Sequence, residues 1–265
     1  MQDIRDFIFR DIIDKQFRAA LIPERTGCLS GVVEAQRIAD EIGVQLSLCL
    51  REGETVTAGT VIGELVATPK QIALAEEKII GSLAKFSGIA TAAQRAVMLA
   101  EGKTRIVSGS WKKMPPAIKD GVRAAIVSGG ATFRITNQPM VYLDKNYISM
   151  LGSISAALTA VKECNGFVKV VQIKGKFSSI EEETTEALKN GCGILMVDTG
   201  RLDDLVRCAN TVNDLGKRTQ VEIAFAGGVR LAQIPELTRY GMDMLCIGKE
   251  IVDATLLDMR LDVLR

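Results

Sequence analysis

Two glycine turns near the end of the chain carry the clearest chemical signal. The first is Val221-Glu222-Ile223-Ala224-Phe225-Ala226-Gly227-Gly228-Val229, and the second is Asp243-Met244-Leu245-Cys246-Ile247-Gly248-Lys249. Each is an apolar run that stops at glycine and leads toward a helical stretch. Glycine at the carboxyl end of a strand lets bare backbone N–H groups approach a ligand, and the next helix turns its positive end to the same place. On consecutive strands of an α/β barrel, two such turns form a phosphate pocket. The alternative is a pair of ordinary strand-to-helix turns. Lys249 is placed either to assist a phosphate or to begin an exposed helix. The phosphate-binding candidates are Ala226, Gly227, Gly228, Gly248 and Lys249.

The chain has no histidine. That removes Ser-His-Asp and Cys-His nucleophile arrangements and most zinc sites. Proton transfer is left to Asp, Glu, Lys, Tyr or water. The six cysteines form no Cys-x-x-Cys pair, and they read as reduced, mostly buried thiols of a cytoplasmic protein. A formal net charge of +1 gives no argument for nucleic acid or a membrane surface. No uncharged run nears the roughly 20 residues of a membrane span. The opening Met1-Gln2-Asp3-Ile4-Arg5-Asp6 is no signal peptide.

The elements that must position these turns follow from periodicity. The 265 residues, 47% hydrophobic and 25% charged, have a globular composition and room for one or two domains. Residues 3–20 place Ile4, Phe7, Ile8, Ile12 and Phe17 close to helical spacing, which predicts an amphipathic helix ended by Pro23. A strand near Gly27–Val33, a helix over 32–42 and short alternating strands at 44–50, 55–57 and 61–66 suggest a small α+β unit. From Pro69 the pattern is helical, broken at Ser87-Gly88 and resumed over 89–100.

Strands are predicted at 105–108, 140–143, 168–173, 194–198, 221–225 and 244–247. Helical stretches fall at 115–127, 150–163, 179–190, 201–215 and 233–240. This alternation gives a parallel α/β sheet, doubly wound or rolled into an incomplete barrel. The domains expected are an α+β domain over 1–103 and an α/β barrel over 104–249. The tail 250–265 is a candidate to pack back on the first.

Ser87-Gly88-Ile89-Ala90-Thr91 resembles a motif of the type II phosphoribosyltransferases, those like quinolinate phosphoribosyltransferase (nicotinate-nucleotide pyrophosphorylase, carboxylating). Ser128-Gly129-Gly130-Ala131-Thr132-Phe133-Arg134 looks like the family's Gly-rich segment ending in His-Arg. The run Asn190 to Asp198 looks like its segment ending in Leu-Asp-Asn. Ala226-Gly227-Gly228-Val229 is similar to its Ser-Gly-Gly-Ile, and Leu257-Asp258-Met259-Arg260-Leu261-Asp262 to its closing Leu-Asp-x-x-Leu-Asp. The matches run in order from about residue 20 to the end.

The resemblance implies an N-terminal α+β domain and a six-stranded open α/β barrel. It also implies a homodimer whose active site draws on both subunits. The family transfers ribose 5-phosphate from phosphoribosyl pyrophosphate to a pyridine dicarboxylate with Mg²⁺, in pyridine nucleotide biosynthesis. Lys112, Arg134 and Asp198 match catalytic positions, and Asp198 matches the acidic residue near the ribose and Mg²⁺. The competing reading of Asp198 is a helix N-cap.

The part that reads the base departs from the family. Two planar carboxylates call for paired cations. An arginine position is Glu77, with Lys78 beside it. Another is Trp111, which either joins the core or stacks on a flat ring. The histidine before Arg134 is Phe133. The family's Lys-Asp-Asn-His appears as Asp144-Lys145-Asn146-Tyr147, and its Glu-Val-Glu as Gln172-Ile173-Lys174. Asp144 and Lys174 suggest a charge pair of reversed polarity; the alternative is two unrelated changes at solvated strand ends. The base-binding candidates are Lys78, Trp111, Phe133, Asp144, Lys145 and Lys174. Glu181-Glu182-Glu183 reads as the solvated first turn of a helix.

Three functions follow: a phosphoribosyltransferase with altered base specificity, a lyase or isomerase of a sugar phosphate on the same scaffold, and a non-catalytic ligand-binding paralogue.

Overall fold

The computed structural model describes residues 3–264; Met1, Gln2 and Arg265, which the expected domain limits include, lie outside the described residues. The strands are β1 (Phe17–Pro23), β2 (Gly27–Cys28), β3 (Gln45–Leu48), β4 (Thr55–Val56), β5 (Gly63–Ala67), β6 (Arg105–Val107), β7 (Met140–Leu143), β8 (Val168–Ile173), β9 (Ile194–Asp198), β10 (Glu222–Ala226), β11 (Met244–Cys246) and β12 (Met259–Val263). The chain divides into two compact units. The first holds the chain up to Arg95, Trp111–Ala131 and the segment from Ile251; the second holds Ala96–Ser110 and Thr132–Glu250.

The first unit is built on an antiparallel sheet of order β12-β1-β5-β3, with β2 and β4 paired separately. Here the expected helix over 3–20 fails. Only Ile4–Ile8 is helical, and Phe17–Pro23 is a strand whose Ala19, Ala20, Leu21 and Ile22 are all buried. Ile4, Phe7 and Ile8 are exposed, so the amphipathic pattern covers no core. Strand partners on both edges outweigh local helical spacing at residues 17–23.

The second difference is at Ser87-Gly88. Pro69–Ala100 is one helix of 32 residues. Ser87 Oγ accepts from Ser30 N at 2.9 Å and donates to Ser30 O at 3.1 Å. A Cβ on residue 88 would lie 2.1 Å from Thr255 O. The glycine is needed for close approach of a neighbouring backbone and does not break the helix.

The second unit holds a six-stranded parallel sheet of order β6-β11-β10-β9-β8-β7. The strands follow one another without the reversal of a doubly wound sheet, and the first lies beside the last. This is the strand order of an α/β barrel opened between β6 and β7. Val107, Val170, Ile194, Met196, Ala224 and Met244 pack together on one face. The alternate residues Val171, Ile173, Leu195, Val197, Ile223, Phe225 and Leu245 are buried as well. Burial on both faces is why the sequence shows unbroken apolar runs. Among the described residues no helix is long and apolar enough to cross a membrane.

All six cysteines are free. Burial pushes the Cys28 thiol up to about 11, helped by the nearby Glu52 charge, and Cys208 up to about 11. Burial pushes Cys192 and Cys246 up to about 12, with Asp198 adding to the effect at Cys246. At pH 8 these four carry almost no thiolate, the reactive form. Cys49 is exposed, and Cys164 and Cys246 are half-buried, Cys246 with its thiol held protonated. Brief iodoacetamide labelling of the native protein at pH 8, read by mass spectrometry, is expected to modify Cys49 first and Cys164 second. The other four should react only after unfolding.

Candidate active site

Side chains alternate along a strand, so the inward face of each strand ends in a fixed residue. On β8 the face that carries Val168 and Val170 continues to Gln172 and Lys174; on β9 the face of Ile194 and Met196 ends at Asp198. The register pairs Ile173 with Val197 and Ala226 with Asp198. One step past the first pair, Lys174 comes beside Asp198. The parallel sheet thus delivers Lys174, Asp198 and Ala226 to one level at the carboxyl ends of three neighbouring strands.

The contacts follow from that placement. Lys174 Nζ lies 3.3 Å from Asp198 Oδ2 and donates to Asp198 O at 2.5 Å. Gln172 Nε2 donates to the same Oδ2 at 2.6 Å, while Gln172 Oε1 accepts from Lys145 N at 2.8 Å. The Tyr142 phenol is pushed well above its ordinary value, first by burial and then by the charges of Asp198, Cys246 and Asp144. It therefore stays protonated near neutrality.

Two expectations change here. The pair of Asp144 with Lys174 is replaced by Lys174 with Asp198. The Asp144 carboxylate instead caps Lys145–Leu151, accepting from Asn146 N at 2.8 Å and Tyr147 N at 3.1 Å. Nor is Asp198 a helix cap: the next helix, Leu202–Asp214, has Arg201 at its N-cap.

Glu183 is the residue the sequence misplaces most. Glu181 and Glu182 belong to a solvated first turn, but Glu183 is 1% exposed. Its Oε2 accepts from the backbone N–H groups of Lys174 and Gly175, and its Oε1 from those of Lys176 and Phe177, all at 2.8–2.9 Å. A carboxylate that accepts several N–H groups locks the backbone presenting them. Glu183 therefore fixes the loop from which Lys174 reaches Asp198.

The glycine turns end β10 and β11. The register pairs Phe225 with Leu245, so Gly228 and Gly248 stand three residues beyond one aligned pair. Gly227 has φ +117°, and a Cβ there would lie 2.2 Å from Gly200 N. The turn at Gly200 thus packs backbone to backbone on the first glycine turn, and Gly200 N donates to Ala226 O at 2.9 Å. A Cβ on residue 248 would meet Ser110 Oγ at 2.0 Å. Glu250 Oε2 accepts from Leu231 N at 2.6 Å and ties the segments after the two turns together. The helices that follow, Ile234–Leu237 and Lys249–Val252, have only four residues each, so the turns' own N–H groups must supply most of any anion grip.

Gly227→Ala is expected to destabilise the protein by about 3 kcal/mol and to lower Tm by roughly 6–12 °C, because the backbone conformation and the neighbouring backbone both exclude a side chain. Gly191→Ala, with φ +81° and open space around it, should cost only about 1 kcal/mol. Thermal unfolding of the two variants compares them directly.

Phe133, half-buried, and Arg134, exposed, also lie in the second unit, after Thr132, which bridges to Val107 of β6. Lys249 is exposed. Lys78, Trp111 and Lys112 fall in the first unit. Lys78 is exposed on the long helix, and its neighbour Glu77 is ion-paired with Arg5. Trp111 and Lys112 lie on a 3-10 turn, Ser110–Lys113. Arg123, which the sequence reading passed over, stacks its guanidinium 4.7 Å from the Trp111 ring centroid. A pocket of about 270 Å³ opens at the first glycine turn, lined by Gly200, Leu202, Phe225, Gly228, Arg230 and Glu236 among others.

The resemblance implies Mg²⁺ at Asp198. Mg²⁺ takes oxygen ligands in a near-octahedral shell. Here Asp198 Oδ2 already meets an ammonium and an amide N–H. These residues do not fit a divalent ion on that oxygen.

Parallel strands that gather their polar residues at their carboxyl ends define an α/β enzyme of the barrel type. The family comparison narrows this. Residues 4–87 match the N-terminal domain of quinolinate phosphoribosyl transferase and residues 89–262 its C-terminal domain. The chain belongs to the quinolinate phosphoribosyltransferase family.

Among its relatives is the nicotinate-nucleotide pyrophosphorylase [carboxylating] of Rattus norvegicus, 26% identical over 92% of this chain and 81% of that protein. The probable enzyme of the same name from Methanothermobacter thermautotrophicus is 22% identical over 97% of this chain and 93% of that protein. The nicotinate-nucleotide pyrophosphorylase structure from Francisella tularensis has the same fold. It superposes with a TM-score of 0.84 at 22% identity, covering 98% of this chain and 90% of that one.

Proposed function

We propose that the protein transfers ribose 5-phosphate from phosphoribosyl pyrophosphate to a ring nitrogen of a heterocyclic base. The N–C1 bond forms as the C1–O bond to pyrophosphate breaks, and pyrophosphate leaves with the electron pair. The observation that carries this reading is the match to both family domains, with Asp198 and the first glycine turn side by side at the strand ends. Positive charge spreads over the ribose in the transition state, so positioning and electrostatics suffice and no histidine is required. Asp198 has the sign to stabilise that charge. The turns at Gly228 and Gly248, with Lys249, would grip the 5-phosphate, and Arg134 would face the pyrophosphate.

The base is part of the same reading. A pyridine dicarboxylate needs two cationic clamps, and the positions at issue are Glu77, Trp111, Phe133, Asp144 and Lys174. Glu77 is committed to Arg5, Trp111 to Arg123 and Asp144 to its helix. This favours a monocarboxylate or a neutral ring. The homodimer rests on the resemblance, and the cytoplasmic location on the cysteines read as reduced thiols.

The test is incubation with phosphoribosyl pyrophosphate and a panel of pyridine mono- and dicarboxylates and neutral bases, with and without Mg²⁺, reading pyrophosphate. Release with a monocarboxylate or neutral ring supports the reading. Release with quinolinate alone overturns the altered specificity, and no release with any base overturns the transfer.

A further inference from the structure

We propose that the Lys174 ammonium is the built-in cation of this site. It stands beside Asp198 Oδ2, where a divalent ion on that oxygen would sit, and it offers its remaining N–H to an anionic oxygen of a pyrophosphoryl ligand.

Three observations lead there. First, the ammonium is doubly anchored on one residue, to Asp198 O at 2.5 Å and Asp198 Oδ2 at 3.3 Å. An ammonium has three N–H donors, so two are spent on Asp198 and one is left. Second, Gln172 takes the same Oδ2 at 2.6 Å. A metal on that oxygen would have to displace a neutral donor as well as repel a cation. Third, the lysine cannot swing its backbone aside. Glu183 holds the N–H groups of Lys174 to Phe177, so the charge is pre-positioned and its ordering entropy is already spent in folding.

The other strand-end carboxylate, Asp144, has its Oδ1 taken by two backbone N–H groups. A point charge on a flexible stem is a suitable partner for phosphate oxygens. Both side chains remain about 30% exposed, so an anion can reach the pair from solvent. The metal-excluding half of the proposal stands on this geometry alone. The pyrophosphate-binding half rests on the transferase reading.

The test uses the full chain and two probes. Mn²⁺ alone is titrated by electron paramagnetic resonance into wild type, Asp198→Asn, Lys174→Glu and Lys174→Glu/Asp198→Asn. Wild type and Asp198→Asn should be indistinguishable. Lys174→Glu should gain one Mn²⁺ site per chain, at least tenfold tighter than any in wild type, and lose it in the double variant. Inorganic pyrophosphate is then titrated calorimetrically in EDTA. Wild type should bind it, and Lys174→Met, checked for native thermal unfolding, should bind at least tenfold more weakly.

One Mn²⁺ per wild-type chain that disappears in Asp198→Asn overturns the proposal without needing any lysine variant to fold. Pyrophosphate binding that appears only on adding Mg²⁺ also overturns it and leaves the transferase reading standing. Failure to bind pyrophosphate with or without Mg²⁺ overturns the transferase reading and the anion-binding half, and the manganese result then decides the metal-excluding half.

Discussion

Glu183→Ala is expected to destabilise the protein by about 4 kcal/mol, among the largest effects of any single substitution outside the apolar core. The carboxylate is 1% exposed and accepts four backbone N–H groups from Lys174 to Phe177. Each buried donor left without a partner costs on the order of 1–3 kcal/mol, and water entering the vacated space recovers part of that. Glu183→Gln should fall between, since one oxygen is kept and an amide N–H is turned on donors. Urea unfolding gives the values through the shift in midpoint at constant slope. A loss below about 1 kcal/mol for the alanine variant would show that the loop holds itself.

The second large effect concerns catalysis. Asp198→Asn keeps the shape and one oxygen acceptor but removes the negative charge at the strand ends. Under the proposed transfer it should lower kcat by roughly 100- to 1000-fold, the range seen when one preorganised electrostatic partner is lost. Thermal stability should change little, because the side chain is partly exposed and remains able to accept from Gln172. Steady-state assay of pyrophosphate release on the best base of the panel measures it. An asparagine variant within threefold of wild type would remove Asp198 from the chemistry.

The six strands of the parallel sheet were legible in the sequence almost residue by residue. Runs such as Ile194-Leu195-Met196-Val197-Asp198 are apolar on both faces, and a polar or glycine residue marks each end. The first glycine turn was legible for the same reason. What the sequence hid was partnership between distant residues. Glu183 looks like its neighbours because a first-turn glutamate on a helix is normally solvated; only the loop folding over it makes it buried. Lys174 and Asp198 were both visible as site candidates, yet their pairing depends on the register of β8 on β9, which no local pattern encodes. Gly88 reads as a breaker because nothing local reveals the backbone of Thr255 against it. At residues 17–23 a helical spacing was present and was outweighed by two strand partners, one of them β12.

That last pairing also sets an order of events. β1 is hydrogen-bonded from Ala19 to Val263 at one edge and from Phe17 to Ala67 at the other. During synthesis β5 can reach β1 early, but β12 is made only after every strand of the parallel sheet. The first sheet must therefore wait, with the β1 edge unpaired, for residues made at the far end. An unpaired strand edge is open to other chains, and contacts between distant parts of a chain form slowly. Expression that outpaces completion of the chain should thus favour aggregation through this edge, and a peptide spanning residues 257–264, supplied in trans during refolding of a chain truncated after Thr255, should suppress it.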